Sequence, residues 1–294
     1  MKIKVSLGER VFDIINVLFM FLLTVVMFYP LWHVFCSSLS NNNELMAHSG
    51  MLLKPIGFHL KSYQAVFANP MIMTGYQNTI IILVFGLIVN MVMTSVAAYV
   101  LAQKGVYFNK LFMKLIIVTM YFSGGLIPVY LLVTRTLGMN NTLLALILPV
   151  AVNTYNLIIM KTSFMGLPDS LSESAKLDGA GHLTILMKVV LPLSKSILAV
   201  IALYYAVSHW NSWFNASIYL KDRSKYPLQL VLREILIQND MSVMTQGASD
   251  GDQLGLSETI KHAVIMVATV PILLIYPFLQ KYFAKGTLTG AIKG

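Results

Sequence analysis

Long apolar runs alternate along this chain with short charged intervals. Cutting the sequence at every Asp, Glu, Lys and Arg leaves six uncharged stretches of 18 residues or more, at 14 to 43, 62 to 103, 115 to 134, 136 to 160, 196 to 220 and 262 to 280. A bilayer core of roughly 30 Å takes about 20 mostly apolar residues as a helix, since each adds about 1.5 Å and no backbone polar group can be left unpaired in lipid. The pattern predicts an all-α integral membrane protein with six transmembrane helices. They fall at Val11 to Ser38, Gly75 to Ala102, Lys110 to Thr134, Thr142 to Thr162, Ser196 to Leu220 and Thr259 to Phe283.

Local signals refine these spans. The first stretch follows Lys2, Lys4 and Arg10 as a signal peptide would, but its 30 uncharged residues exceed a usual signal core of about 7–15, so it is read as a retained helix. Ser123-Gly124-Gly125 and Pro128 predict an interior break in the third span. Gly86, Ser95, Ala97 and Ala98 in the second suit close backbone approach.

Composition excludes an ordinary soluble enzyme. Apolar residues make up 57% of the chain and charged residues 11%, against roughly 45–50% and about 25% in soluble domains. The net charge of +9 is explained by topology rather than by a nucleic-acid partner. With the N-terminus in the cytoplasm, the inner segments hold 13 of the 21 basic residues but five of the 12 acidic ones. This is the Lys/Arg bias that orients short loops, and it places both termini in the cytoplasm.

Two connections are longer than spanning requires. The inner one, 163–195, contains Ser170 and Glu173 at the spacing of a capping box, then a helix expected to stop at Gly179 and a second segment, His182 to Val190, ending before Pro192. The outer one, 221–258, opens with Lys221, Asp222, Arg223 and Lys225, and carries Leu228, Val231, Leu232 and Ile235 at helical spacing. Its Gly247 to Asp252 segment reads as a polar turn. Such a loop fits either docking of an extracellular protein or a solvated connection.

Several chemistries are missing from the sequence. Cys36 is the single cysteine, and no spaced Cys/His set suggests a metal site. None of the six stretches carries the intramembrane carboxylate or basic group that ion-driven carriers usually retain. His33 and His209 read as hydrogen-bonded structural residues, although backbone carbonyls can still bind sodium, so an ion-coupled secondary carrier stays open as the alternative. No Gly-Lys pair occurs, so no Walker-type phosphate loop exists on this chain. Its energy source lies elsewhere.

The inner loop is the most specific signal. Glu173-Ser174-Ala175-Lys176-Leu177-Asp178-Gly179 is followed by nine residues and Val189-Val190-Leu191-Pro192. This resembles the coupling loop of binding-protein-dependent ABC importer permeases: Glu-Ala-Ala, three residues, Gly, nine residues, Ile-x-Leu-Pro. Ser174 and Val189 depart from the pattern and roughly keep its side-chain size. Leu177-Asp178-Gly179-Ala180, Trp210-Asn211-Ser212-Trp213, Pro227-Leu228-Gln229-Leu230, Leu232-Arg233-Glu234-Ile235-Leu236 and the tail from Tyr276 to Gly294 extend the resemblance over nearly the whole chain, toward the maltose-type carbohydrate permeases and the oligosaccharide and polysaccharide-fragment importers.

The resemblance implies an ABC importer type I permease fold in a bacterial cell membrane, with residues 1–294 forming a single permease domain. It implies a second homologous permease, two cytoplasmic ATPase subunits and an extracellular sugar-binding protein as partners. ATP and Mg would then sit on the ATPases and no cofactor on this chain. The ATPase-coupling residues would be Leu171, Glu173, Ser174, Ala175, Leu177, Asp178, Gly179, Leu191 and Pro192.

A sugar path needs amides for hydroxyls and aromatic faces for the apolar side of each ring. Asn153, Tyr155 and Asn156 in the fourth span, with Tyr205, His209, Trp210, Asn211, Trp213 and Asn215 in the fifth, supply that mixture. The same residue types also serve as an interface belt or as helix-packing contacts.

Overall fold

The computed structural model describes residues 6–238, 259–275 and 277, and among them every regular element is helical. The chain divides into two compact units, Met1–Asn69 with Glu234–Val270, and Pro70–Arg233 with Pro271–Gly294.

In the first unit, α1 (Leu7–Ser38) opens on a capping box four residues before the expected start. The Glu9 N–H donates to Ser6 Oγ at 3.2 Å and the Ser6 N–H to a Glu9 carboxylate oxygen at 2.6 Å. The helix continues through Pro30, and none of its most apolar window is buried, so those side chains are left for lipid. Burial is confined to Cys36, Ser37 and Ser38. Around that end sit α2 (Asn42–Ala47) and α3 (Lys61–Ala68), where Thr259 links Ser62 to Asn42 through hydrogen bonds.

In the second unit, α4 (Pro70–Ala102) is the central element, and its N-terminal proline extends it five residues before the expected start. Gly75, Thr79, Ile82, Gly86, Asn90, Thr94, Ala98 and Leu101 are buried at spacings of three or four, whereas Val84, Phe85, Ile88 and Val92 are exposed. Small and polar residues inside with apolar residues outside is the arrangement expected when lipid, not water, surrounds a helix.

The third apolar stretch forms α5 (Asn109–Tyr121) and α6 (Leu126–Leu131), the latter extended by a π turn at Leu132–Thr136; the two arms bend by 111° at the expected Ser123-Gly124-Gly125 break. The fourth is broken too. Two 3-10 turns, Leu143–Leu146 and Leu148–Val150, precede α7 (Thr154–Met165) at a 49° bend. Pro149 has no N–H to continue the ladder, and Asn153 caps α7 with a bond from the Asn156 N–H at 3.1 Å.

The inner loop forms α8 (Asp169–Leu177), α9 (His182–Ile185), a π turn at Leu186–Val190 and α10 (Leu191–Leu193), then turns by 88° into α11 (Lys195–Trp210). Two expectations are corrected. The capping box at Ser170 and Glu173 does not form: α8 begins two residues earlier, with Pro168 in the N-cap position, Asp169 in its first turn favoured by the helix dipole and Ser170 inside the helix. Pro192 does not end the second segment, because the π turn rearranges the carbonyl ladder ahead of it and the chain continues helically to Leu193. The fifth span also stops short, at Trp210; Asn211 to Trp213 interrupt it before α12 (Phe214–Tyr219).

The outer connection begins with a 3-10 turn and α13 (Leu228–Gln238). Its Leu228, Val231, Leu232 and Ile235 are all buried, so the apolar face is used in packing; the expected polar turn at Gly247 to Asp252 lies outside the described residues. The last described helix is α14 (Thr259–Ile275), and the rest of the expected sixth span, to Phe283, lies outside them apart from Pro277.

Among the described residues, α1 and α4 are each long and apolar enough to cross a membrane, and counting each bent pair as one span gives five. Two apolar clusters hold the second unit. One joins Ala98 and Tyr99 to Leu157, Met160, Ile185 and Ile201; the other joins Ile82 to Val133, Leu146, Tyr219 and Leu230. Between these clusters along α4 lie Asn90 and Thr94.

Candidate functional site

The inner loop is built as a projecting corner. At the end of α8, the Gly179 N–H donates to the Lys176 carbonyl at 3.0 Å and the Ala180 N–H to the Ala175 carbonyl at 2.9 Å, the paired bonds of a Schellman motif. Gly179 occupies the left-handed position with φ +81°. A side chain added there would meet open space, so the glycine is required by the backbone angle alone.

Glu173, Ser174, Leu177, Asp178 and Gly179 are exposed, Leu177 at 90% and Leu171 at 43%. Ala175 and Leu191 pack partly against the apolar cluster below, while Pro192 is exposed. One side of the loop is therefore anchored, and the other presents two leucines and two carboxylates outward.

Both of its segments are tied to the end of α4. Lys104 forms an ion pair with Asp169 at the start of α8, and that hydrogen-bonded carboxylate holds the lysine above its ordinary pKa. The Tyr99 hydroxyl lies 3.1 Å from Nδ1 of His182, the first residue of α9. Two side-chain links thus connect the loop to the C-terminal end of α4 and the residues that follow it. These residues carry no signal in the coupling pattern, so the sequence did not point to them.

The second group of candidates surrounds the polar band of α4. The Asn90 Nδ2 donates to the Val150 and Ala151 carbonyls at 2.7 and 2.9 Å, which turns its Oδ1 toward Nε2 of His209 at 2.6 Å. An amide oxygen only accepts, so His209 carries its proton on Nε2. One turn along, the Tyr205 hydroxyl accepts the Asn153 N–H at 2.9 Å and bonds Thr94 Oγ1 at 2.7 Å. This hub brings together Asn153, Tyr205 and His209 and satisfies backbone groups released where the fourth stretch breaks.

The other candidates are dispersed. Asn156 is buried; Trp210 is nearly so, with its ring edge-on to Tyr76 at 6.3 Å. Tyr155 and Asn211 are exposed, and Asn211 donates to the Val207 carbonyl at 2.9 Å. Trp213 carries the Arg233 guanidinium 3.6 Å above its ring, and Asn215 is half-buried. The Trp213 ring is covered on one face by Arg233, Asn211 is exposed, and Tyr205 and His209 are engaged in the hub. Asn90 and Thr94 were missed, although an Asn inside an uncharged 42-residue stretch was a visible sign of a polar contact within the membrane. Among the described residues no group of three or more His, Cys, Asp or Glu is placed to hold a metal ion.

The family model described as binding-protein-dependent transport system inner membrane component matches residues 91–289. Over 291 residues, 97% of this chain and 99% of the relative, the sequence is 41% identical to the polygalacturonan/rhamnogalacturonan transport system permease protein YtcP of Bacillus subtilis (strain 168). It is 42% identical to protein LplC of the same organism over 285 residues, 97% of this chain and 96% of that one. A solved bacterial ABC transporter involved in the import of the acidic polysaccharide alginate superposes with a TM-score of 0.85 at 30% identity, covering 95% of this chain and 98% of that one. The chain belongs to the family of binding-protein-dependent transport system inner membrane components.

Proposed function

We propose that this chain is the permease subunit of an ATP-driven ABC importer that carries an oligosaccharide delivered by an extracellular solute-binding protein. It works beside a second permease and two cytoplasmic ATPases that hold ATP and Mg, and it catalyses no covalent step itself. In this reading the chain crosses the membrane six times with both termini inside, each bent pair counting as one span and α14 as the last. Supporting the cargo class, the relative YtcP is named for polygalacturonan and rhamnogalacturonan, and the superposed structure is of an alginate importer. Acidic oligosaccharides are therefore the first to test.

The carrying observation is the exposed corner at Gly179, linked by Tyr99 to α4 and by Lys104 to the connection just after it. Closing of the ATPases around Leu171, Glu173, Leu177 and Asp178 would draw the corner as a lever, and α4 would carry that displacement to the centre of the second unit. The two permeases would then alternate between outward and inward opening.

The test is co-expression with the partner permease, ATPase and binding protein. Gly179→Pro and Glu173→Arg should abolish copurifying, sugar-stimulated ATPase and uptake together. Uptake that follows a proton or sodium gradient and ignores both substitutions would instead establish the ion-coupled carrier.

A further inference from the structure

The connection between α4 and α5 borders an open pocket of about 780 Å³. Its charge is one-sided. Lys104, Lys110, Lys114 and Lys161 line it, and no carboxylate does. Lys104 is engaged by Asp169, but among the described residues Lys110, Lys114 and Lys161 have no carboxylate within ion-pair distance. The first turn of α5 also borders the pocket, with no side-chain cap and no acidic residue, so its N–H groups add positive potential. Met113, Met165 and Val106 form the apolar part of the wall.

Asn109 ties down the connection at the edge of the pocket. Its Nδ2 donates to the Leu101 carbonyl at 3.0 Å and is directed also toward that of Gln103 at 3.4 Å, which fixes the amide. The Oδ1 is left buried with no hydrogen-bond partner.

We infer that this pocket binds the headgroup of an anionic phospholipid, such as phosphatidylglycerol. The lysines would hold the phosphate diester, and the apolar wall would meet the start of the acyl chains. Position favours the lipid over a soluble phosphate, because the pocket lies where two apolar helices meet their polar connection, the depth at which headgroups sit. The inference needs neither the cargo assignment nor the transport direction.

The test uses the assembled transporter purified in detergent, with short-chain phosphatidylglycerol as probe. Binding is read by native mass spectrometry and by the shift in melting temperature, against phosphatidylcholine and inorganic phosphate at equal concentration. Phosphatidylglycerol alone should bind and stabilise. The triple variant K110Q/K114Q/K161Q should weaken it by roughly a hundredfold, on the order of fivefold per lysine, while K110R/K114R/K161R retains most of it. The matched variant K54Q/K61Q/K221Q, which alters charge elsewhere, should leave binding intact. Equal binding of phosphatidylcholine, an equal effect of inorganic phosphate, or equal loss in the matched variant would each overturn the proposal. Sugar-stimulated ATPase is recorded separately, so loss of transport and loss of lipid binding remain distinguishable.

Discussion

Oδ1 of Asn90 lies 2.6 Å from Nε2 of His209, and Gly86, one turn earlier on α4, is what permits that approach. A Cβ on Gly86 would stand 2.5 Å from Nε2 and 2.8 Å from Cε1 of the imidazole. The imidazole is buried and held by Asn90, which is itself committed to two carbonyls, so it has little freedom to retreat. Gly86→Ala should therefore lower stability by about 1–3 kcal/mol through overpacking. Combined with His209→Ala, which removes the obstacle, the loss should be smaller than the sum of the two single losses. Thermal unfolding of the four proteins in detergent measures this coupling, and strict additivity would mean that the ring moves aside freely.

Tyr205→Phe removes a hydroxyl but leaves the ring, so packing is conserved while the Asn153 N–H and Thr94 Oγ1 lose a partner. A buried group left unpaired costs about 1–3 kcal/mol, somewhat less within a membrane where alternative partners exist. The variant should melt earlier, whereas Tyr155→Phe, at a residue 55% exposed, should not change the melting temperature.

The parts of the fold that could be read beforehand are those governed by one residue's own backbone preference. Ser123-Gly124-Gly125 broke the third stretch, and Gly179 closed α8, because glycine at φ +85° or +81° acts regardless of what lies nearby. The break before α7 was not readable in the same way. Pro149 weakens the ladder, but the gap persists only because Asn90 and Tyr205, from two other helices, take up the released groups. Ser170 and Glu173 show the converse: they have capping-box spacing, yet Pro168 and Asp169 start the helix ahead of them. The 163–195 loop stood out as a pattern of spacing, while its contacts with Tyr99 and Lys104 did not, since those residues lie elsewhere in the sequence and meet it only once the chain is folded.

Gly179→Ala separates backbone from sterics in the loop. Because the new methyl meets no atom, the cost is the left-handed conformation itself, about 1–2 kcal/mol for a residue with a Cβ. Gly179→Asn, which tolerates that region better, should retain more sugar-stimulated ATPase than Gly179→Ala, and Gly179→Pro should retain none. An Asn variant no better than Ala would point to side-chain exclusion by the ATPase surface instead.

The Lys104 and Asp169 pair makes a prediction about pH as well as charge. Both side chains are largely exposed, so the pair is screened by salt and adds little to global stability. Its effect should be sought in coupling. Lys104→Glu should reduce the ratio of transport to ATP hydrolysis by placing two carboxylates together, and the double variant Lys104→Glu with Asp169→Lys should recover much of it. The folded-state pKa of Lys104 is raised by the Asp169 hydrogen bond and charge, so its contribution is fully present below the ordinary lysine value of 10.5 and is lost as pH rises through the raised one. Across pH 6 to 9 the lysine stays charged, and the difference between wild type and Lys104→Gln in that ratio should be flat over the window. A difference that instead varied steeply between pH 6 and 9 would show that another titrating group, not this ammonium, governs the attachment of α8 to α4.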